Sequence, residues 1–295
     1  DLAGNANAAA TNTTRTIDNT APAVTGYTLN GATADTFLDP NDPASVVIDI
    51  TAGEPVKFNF IYVCTQADGT CNGTTRIKEF SSIIAFATTV QKTWDGRKSS
   101  DNTIADDGVH KLKVKMVDEA GNETISELAP YLITIDTINP TIADFGAPTA
   151  DAVYKTNTPL QFTPNDTATA VTCAYKVDSG SYVAVPCTAA TPVSTTIPNA
   201  SFSDGRHAVT IKVTDAASND IVSSPISFVF DNNNTLTVDD TPANNPDFST
   251  ISEAITKSTA NDTISVADGS YSNSLTVNKA LTINGGVGGG TSTQT

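Results

Sequence analysis

Histidine is the side chain best suited to acid–base catalysis near neutral pH, and this chain of 295 residues has two, His110 and His207. Each histidine follows an Asp-Gly pair and begins a strand-like run that reaches an aspartate eight residues later, Asp118 or Asp215. A residue that recurs at one position of a repeat is explained by the repeat, so we predict a structural role for both. Since the sequence has no other histidine, it predicts no imidazole-based catalytic site.

Aspartates at the ends of the repeats are the second set of candidates. Asp18, Asp136 and Asp231 each end the last strand of a repeat, and Asp118 and Asp215 lie in the turn before it. Clustered carboxylates are hard oxygen ligands, so these five residues are candidate calcium ligands that would stiffen the junctions. The alternative is that the Asp and Asn side chains close turns through hydrogen bonds to nearby backbone groups. The sequence indicates no other cofactor.

Four cysteines form two close pairs in the sequence, Cys64 with Cys71 and Cys173 with Cys187. The midpoint of each pair falls on a turn sequence, so we expect each pair to face across an antiparallel hairpin, within reach of a disulfide. Zinc is the weaker alternative, because the pairs belong to different repeats and no histidine lies beside them. We predict two disulfides and therefore a location outside the cytoplasm, extracellular and at the cell surface.

Strand-like segments position these candidates. Leu112, Val114 and Met116 alternate with three lysines, the period-two pattern of a strand with one buried face. The same alternation recurs before Asp215 in the second repeat. Further strand-like segments occur at residues 46–50, 56–63 and 75–80.

Composition excludes several classes of partner. The chain has 16 basic and 32 acidic residues, a formal charge of −16, which repels the phosphates of nucleic acids. No run of 18 apolar residues is present, so no membrane-spanning helix is predicted. The single tryptophan, Trp94, could stack on a sugar ring, but a lone tryptophan in a β-sandwich is more often a core residue.

A resemblance emerges in the second repeat. The segment from Cys173 to Cys187, followed by Ser203-Asp-Gly-Arg-His207 and Asp215-Ala-Ala-Ser-Asn219, resembles a bacterial Ig-like repeat of large surface proteins. The resemblance covers most of residues 140–233 and implies a β-sandwich. Ser218 stands where that family has glycine, which makes a left-handed backbone conformation less expected there.

The first repeat resembles a different Ig-like variant, found in flagellar hook-capping proteins and in surface-protein repeats. The residues that carry this resemblance are Asp39-Pro-Asn-Asp-Pro43, Thr93-Trp-Asp-Gly96 and Asp107-Gly-Val-His110. Cys64 and Cys71 are not part of that pattern, so a disulfide between them would be an addition to it. Neither family implies catalysis.

After residue 234 the sequence changes character. Phe248, Ile251, Ala254 and Ile255 fall at helical spacing. The segments Asp262-Thr-Ile-Ser-Val266, Gly269-Ser-Tyr271 and Leu281-Thr-Ile-Asn-Gly-Gly286 then resemble the opening of a right-handed parallel β-helix of the pectate-lyase-like type. The resemblance implies a capping helix followed by the first coil of a solenoid.

These observations predict an all-β chain of tandem Ig-like β-sandwiches followed by the N-terminal cap and first coil of a parallel β-helix. The predicted divisions are the terminal strand of a preceding module at residues 1–20, sandwiches at 21–139 and 140–233, and the solenoid start at 234–295. Because the chain begins inside a repeat, we expect an excerpt or a processed product.

The function expected from this organisation is non-catalytic: a structural or adhesive fragment of a cell-surface protein. It would act as a spacer or as a self-assembling component of a surface layer or filament, with self-association by strand addition. The alternative is a β-helix that binds or cleaves polysaccharide, such as a cell-surface glycan, and is presented on the Ig-like modules.

Overall fold

The computed structural model describes residues 17–41, 45–65, 71, 76–167, 170–198, 200, 202–271 and 274–285. The chain divides into two compact units, Asp1–Thr137 and Ile138–Thr295. The regular secondary structure of the described residues is almost entirely β-strand, as predicted from the sequence. The predicted terminal strand at residues 1–20 lies mostly outside the described residues, and residues 17–23 have no regular secondary structure.

The first unit is built from seven strands. They are β1 (Val24–Leu29), β2 (Thr36–Leu38), β3 (Val46–Thr65), β4 (Arg76–Phe80), β5 (Ile83–Trp94), β6 (Gly108–Asp118) and β7 (Glu123–Ile135). Their hydrogen-bonded order is β1-β3-β6-β7-β2, and β4 and β5 also pair with β3. β3 pairs with β1 through its first half and with β6 through its second half, and its pairing with β5 is irregular between Thr51 and Val56. A strand that bends at such an irregularity can serve both layers of a sandwich.

β4 and β5 follow one another along a single edge of β3. Ile61 pairs with Phe80 and Phe58 pairs with Ile83, so the antiparallel register continues unbroken from β4 into β5. The three strands therefore form one long hairpin. Within the described part of the chain, β5 has no strand on its other side.

The core of the first unit follows the alternation predicted for β6. Leu112, Val114 and Met116 are fully buried among the core side chains, and each contributes roughly 1.5–3 kcal/mol by leaving water. Lys111 is also buried, contrary to a strict alternation. Its ammonium group ends 3.0 Å from the carboxylate of Glu127 on β7, so the aliphatic stem is buried while the charge is paired.

The second unit begins with a two-sheet sandwich. Its strands are β8 (Thr141–Ala147), β9 (Val153–Tyr154), β10 (Thr158–Asn165), β11 (Val171–Val177), β12 (Val183–Val185), β13 (Val193–Ile197), β14 (Gly205–Asp215), β15 (Asp220–Val222) and β16 (Ile226–Phe230). One sheet has the order β13-β10-β8, and the other has the order β12-β11-β14-β16-β9 with β15 paired to β14. Phe162 from the first sheet and Ile211 and Phe228 from the second are buried in the core between them.

Three short parallel strands follow the second sandwich. They are β17 (Thr235–Val238), β18 (Thr263–Val266) and β19 (Thr282–Asn284). Leu236, Ile264 and Ile283 occupy equivalent positions on the three strands and pack in one apolar cluster. Val229 of β16 belongs to the same cluster, so this segment shares a core with the second sandwich.

The predicted helix is present between β17 and β18, but it is shorter than its sequence pattern. Helix α1 covers Ile251–Lys257 and begins after Thr250, whose hydroxyl accepts a hydrogen bond from the Glu253 amide at 3.2 Å. Phe248 was predicted to share the helical face, and this is wrong. It instead forms a parallel bridge with Val238 at the end of β17, because pairing with that strand satisfies its backbone groups.

Candidate functional site

Both predicted disulfides are present. Cys64 and Cys71 have their Cα atoms 5.6 Å apart, and Cys173 and Cys187 have theirs 6.0 Å apart. Both distances lie within the usual range for a disulfide. Closing loops of this length stabilises a protein by about 2–3 kcal/mol, mainly by restricting the unfolded chain.

The predicted position of the cysteines, directly opposite one another on paired strands, is wrong for both disulfides. In the strand ladders, the partner of the first cysteine is Arg76 in one hairpin and Val185 in the other. Cys71 lies in the connecting segment of its hairpin, and Cys187 lies two residues past the end of β12. Each bond therefore ties a strand residue to a cysteine that lies outside the strands.

His110 is a packing residue of the first core. Its ring lies edge-on to Trp94 with centroids 5.7 Å apart, and its side chain is 2% exposed. Neither ring nitrogen makes a hydrogen bond of normal geometry with any described residue. Burial lowers the pKa of His110, and the weaker opposing influence of the Gly108 and Ile133 backbone groups does not offset it. The buried imidazole is therefore neutral at physiological pH.

His207 occupies the same position of the second repeat with different neighbours. Its Nδ1 atom lies 2.7 Å from an Asp178 carboxylate oxygen, and its Nε2 atom lies 2.7 Å from the Ser203 carbonyl oxygen. The other oxygen of Asp178 accepts a hydrogen bond from the Ala208 amide at 2.9 Å. His207 thus fastens the turn after β11 to the start of β14, so the two repeat histidines share a position but not a role.

The aspartate of each Asp-Gly pair holds the residue that leaves the sandwich. Asp107 accepts a hydrogen bond from the Thr137 amide at 3.0 Å, and Asp204 accepts one from the Asn232 amide at 2.8 Å. Both donors come directly after the aspartate that follows the last strand. The glycines of the two pairs have nearly the same φ, 131° and 129°, which a residue with a side chain rarely adopts. We call each Asp-Gly pair, with its hydrogen bond from the residue that leaves the sandwich, an exit clamp.

The turn at residues 118–122, before β7, and the turn at residues 215–219, before β15, have the same geometry. The Asn122 amide and side-chain nitrogens each donate to one oxygen of Asp118 at 2.8 Å. The Asn219 amide and side-chain nitrogens donate to the two oxygens of Asp215 in the same way at 2.9 Å. This arrangement is the turn closure that was the alternative to calcium binding. We call these two five-residue turns the connector loops.

The backbone of the connector loops is also the same in both repeats. Gly121 has a φ of 93° and Ser218, at the equivalent position, has a φ of 78°. The expectation of a departure at Ser218 is therefore wrong. The paired hydrogen bonds between Asp215 and Asn219 hold the loop closed on both sides of the serine, which offsets the steric cost of the left-handed conformation.

The first connector loop also holds the chain that enters its sandwich. The side-chain amide of Asn122 donates to the carbonyl oxygens of Asp18 and Thr20 at 3.1 and 3.2 Å. The Thr20 amide in turn donates to the Asp18 carboxylate at 2.9 Å, which folds the linker into a tight turn. Burial opposes ionisation of Asp118, but its hydrogen bonds from Asn122 outweigh that effect and lower its pKa.

Three acidic residues meet beside this linker. One carboxylate oxygen each from Asp18, Glu54 and Asp118 lies within 4.8 Å of the others. Glu54 was not among the candidates from the sequence, since it lies outside the turns and strand ends of the repeats that supplied them. Asp118 already accepts hydrogen bonds from Asn122 on both oxygens. Calcium binding at this cluster stays a prediction.

The remaining calcium candidates are not members of this cluster. Asp136 is buried directly after β7, where its amide donates to the Leu38 carbonyl oxygen at 3.1 Å. Asp215 closes the second connector loop. Asp231 is buried with an oxygen 3.3 Å from the ammonium group of Lys155. Lys155 is thus the cation beside Asp231 in the structure, and for Asp136, Asp215 and Asp231 calcium binding stays a prediction.

Lys155 fastens the second sandwich to the parallel strands. Its ammonium group reaches Asp231 after β16, the Asn234 side-chain oxygen at 2.7 Å, and the carboxylate of Asp262 before β18. Burial would lower the pKa of Lys155, but Asp262 and Asp231 raise it. Burial would likewise raise the pKa of Asp262, but its hydrogen bonds from Lys155 and Thr259 lower it. The three charged groups stabilise one another.

Arg206 makes a second connection between the second sandwich and the parallel-strand segment. Its guanidinium donates twice to the Asp247 carbonyl oxygen, from Nε at 3.0 Å and from Nη2 at 2.5 Å, and Nη1 lies 2.5 Å from Asp151. The Asp247 carboxylate accepts hydrogen bonds from the Thr237 amide and hydroxyl at 2.7 and 2.9 Å. Burial raises the pKa of Asp247 more than these bonds lower it. With the shared apolar cluster, these contacts join sandwich and parallel strands into one body.

Trp94 is not placed to bind a sugar. Its side chain is fully buried, and its indole nitrogen donates to the Arg97 carbonyl oxygen at 2.9 Å. The tryptophan is therefore a core residue of the first unit.

Sequence reasoning did not single out Lys155, Arg206 or Asp247. The contacts of Lys155 with Asp262 and of Arg206 with Asp247 span 107 and 41 positions along the chain, and no local pattern marks such long-range pairs. The only local signal is that Arg206 belongs to the repeated Asp-Gly phrase.

Comparison with known proteins supports the sandwich assignment in one part of the chain. Residues 140–232 match the model of the family described as Bacterial Ig-like domain. No curated protein matches the chain significantly. No helix in the described part of the chain has the length and apolarity needed to cross a membrane.

Similar solved structures include other modular proteins. Fibronectin(III)-like modules of Clostridium thermocellum CbhA are 18% identical, with coverage of 70% of this chain and 93% of theirs and a TM-score of 0.36. A tetra-tandem repeat from the extending region of a large adhesion protein is 16% identical, with coverage of 72% and 50% and a TM-score of 0.27. This chain therefore spans about half of that structure. At these TM-scores neither similarity carries an argument about function.

Proposed function

We propose that this protein is a non-catalytic, extracellular structural component of a surface protein, in which the sandwiches act as spacers. The observation that carries the proposal is the shared geometry of the two connector loops and exit clamps. A catalytic protein has no need to repeat a linker-holding device, whereas a spacer must control every linker along its length. In the first repeat this device holds both the incoming linker and the outgoing residue.

Two further observations agree with an extracellular structural role. Both cysteine pairs are bonded, and structural disulfides persist in oxidising compartments. The excess of 32 acidic over 16 basic residues favours solubility and disfavours binding to nucleic acids. Ig-like modules are typical of adhesive or structural extracellular proteins, which agrees with a role in adhesion or in a surface layer.

We further propose the division made from the sequence, with sandwiches at residues 21–139 and 140–233 and a solenoid start from residue 234. Three strands that are parallel and in register, with a helix between the first and the second, support the first coil of a parallel β-helix. The rigid attachment through Lys155 and Arg206 would let the second sandwich present such a solenoid in a fixed orientation.

The rival proposal is that the solenoid binds or cleaves a polysaccharide. The buried carboxylates of the parallel-strand segment already have structural tasks. Asp239 accepts hydrogen bonds from Asn244 and Thr241, Asp262 pairs with Lys155, and Asp247 accepts hydrogen bonds from Thr237 of β17. The described residues therefore favour the spacer over the enzyme.

Single-molecule pulling on the full chain, held at its two ends, tests the spacer proposal. A spacer resists force, so we expect two separate unfolding events, one for each unit. Reduction should lengthen the unfolding event of the second unit by about 40 Å, because the disulfide with a sequence separation of 14 residues, whose Cα atoms are 6.0 Å apart, no longer shortens the extended chain. Extension without a resolved force peak would overturn the proposal.

A further inference from the structure

The two disulfides differ in how far solvent reaches them. Cys64 and Cys71 are both buried, with exposed fractions of 0% and 6%. In the second pair Cys173 is also buried, at 4%, but Cys187 is half-buried and lies outside the strands. Thiols react more readily with an exposed disulfide than with a buried one. The second disulfide is therefore the one that a thiol in solution can reach.

A surface groove lies beside Cys187. Its volume is about 380 Å³, and it is lined by residues 186–188 and 191–195. The lining consists of two prolines, three threonines, a serine, a valine and Cys187 itself, so it contains no charged side chain. A groove of this size can admit a small molecule.

The charge around Cys187 also suits an anionic reactant. Residues 179–203 contain no charged side chain, although the whole chain has a formal charge of −16. The attacking species in disulfide exchange is a thiolate, which acidic side chains repel. The first disulfide differs in this respect too, because Asp68 lies between its two cysteines in the sequence.

We propose that Cys187 is a site of thiol–disulfide exchange with a thiol of low molecular mass. The thiolate attacks the Cys187 sulfur, a new S–S bond forms between them, and the bond from Cys187 to Cys173 breaks. The bonding electron pair leaves with the Cys173 sulfur, which takes a proton from solvent because burial disfavours a thiolate. The incoming thiol is oxidised to the mixed disulfide and Cys173 is reduced, so the step requires no further oxidant.

The fold determines which of the two sulfurs is attacked. Displacement at sulfur runs along the S–S axis, so a thiolate that attacks Cys173 would have to approach through the interior. Cys173 packs with Tyr175 and Ile211 in the core of the second sandwich, whereas Cys187 lines the groove. Exchange in the folded protein should therefore place the incoming thiol on Cys187 and release Cys173.

Exchange at Cys187 would change the mechanics of the second sandwich. The disulfide ties β11 to the segment between β12 and β13, and this segment crosses from one sheet to the other. β12 pairs with β11 through three residues, whereas β11 pairs with β14 through seven. Opening the bond thus frees the crossing segment while the middle of the sheet stays paired. This consequence rests on the proposed spacer function, but the exchange itself does not.

Reaction of the folded full chain with reduced glutathione, followed by alkylation and peptide mass mapping, tests the proposal. We expect glutathione on Cys187 and an alkyl group on Cys173. The second disulfide should open at least about tenfold faster than the first, because its sulfur is accessible. In an unfolded chain either sulfur would be attacked, so glutathione on Cys187 alone reports reaction of the native sandwich. Circular dichroism during the reaction checks that the chain is folded.

A charge placed beside Cys187 gives a second readout. Thr188 is exposed and lines the groove. Thr188→Glu should slow the exchange and Thr188→Lys should accelerate it, each by about two- to fivefold, the effect of a unit charge a few ångströms away in water. Thr89→Glu is the matched control, since Thr89 is an exposed threonine of the first unit, and it should leave the rate unchanged.

Several results would overturn the proposal. They are a second disulfide that glutathione does not open in the folded chain, equal rates for both disulfides, glutathione on Cys173 as often as on Cys187, and a rate that ignores the charge at residue 188. None of them bears on the number of unfolding events under force, so the two proposals fail separately.

Discussion

Replacing Lys155 with methionine removes the cation that joins the second sandwich to the parallel strands. Methionine keeps most of the aliphatic volume, but it leaves Asp231 and Asp262, both 1% exposed, without their positive partner. Breaking a buried ion pair from one side costs about 3–5 kcal/mol. Because the Lys155 side chain is 27% exposed, solvent screening reduces this, and we expect a loss of about 2–4 kcal/mol.

The two units offer a built-in control for this variant. Trp94 is the single tryptophan and lies in the first unit, so its fluorescence follows that unit, whereas circular dichroism follows both. Lys155→Met should lower the melting temperature of the second unit by roughly 4–16 °C and leave the tryptophan transition in place. A second substitution, Asp262→Asn, should recover part of the lost stability, because it removes one of the two carboxylates that Lys155→Met leaves without a cation.

The pH dependence of this loss of stability follows from the direction in which the pKa of Asp262 is shifted. Lys155 helps to lower the pKa of Asp262, so the stabilisation is present above the ordinary aspartate value and disappears as the pH falls through the lower folded value. The difference between wild type and Lys155→Met should therefore shrink in acid. An unchanged second unit, or an equal shift of the tryptophan transition, would refute this account of the junction.

Three other predictions concern single sites. Burial lowers the pKa of His110, so the first unit should lose stability as the pH falls below about 6.5, and His110→Leu should abolish that slope in melts followed by Trp94 fluorescence. Replacing Cys173 and Cys187 together with alanine should cost the second unit about 3 kcal/mol in denaturant unfolding, and an unchanged midpoint would contradict a structural disulfide. If the acidic cluster binds calcium, the ion raises the melting temperature of the first unit and Glu54→Gln removes the effect, whereas equal melts in calcium and chelator rule the ion out.

Repetition and alternation in the sequence were enough to predict the sandwiches. The alternation in β6 marks a strand with one buried face, and residues 140–232 match an Ig-like family. β5 was not predicted, because Ile83 to Ala87 is apolar without alternation and only two serines separate it from β4. The strand conformation of β5 depends on its pairing with β3, and the local sequence does not reveal that contact.

The contacts of the candidate site also divide into local ones, which the sequence reveals, and long-range ones, which it does not. The Asp and Asn residues of the connector loops are visible in the sequence because their contacts are local, four positions apart. The contact of Asn122 with Asp18 spans 104 positions, and that of Lys155 with Asp262 spans 107. Such pairs depend on which strands become neighbours, so only the folded chain reveals them. For the same reason the cysteine pairing was predictable while its position relative to the ladder was not.

The mobility of the incoming linker tests the central claim, that the first connector loop holds the segment that leads into its sandwich. A nitroxide spin label attached at Asn19→Cys, an exposed position between Asp18 and Thr20, reports it directly. The account predicts an immobilised label in the otherwise wild-type chain and in the control Glu119→Ala, an exposed residue of the same loop, and a mobile label in Asn122→Ala. A label that is equally mobile in all three chains would contradict the claim.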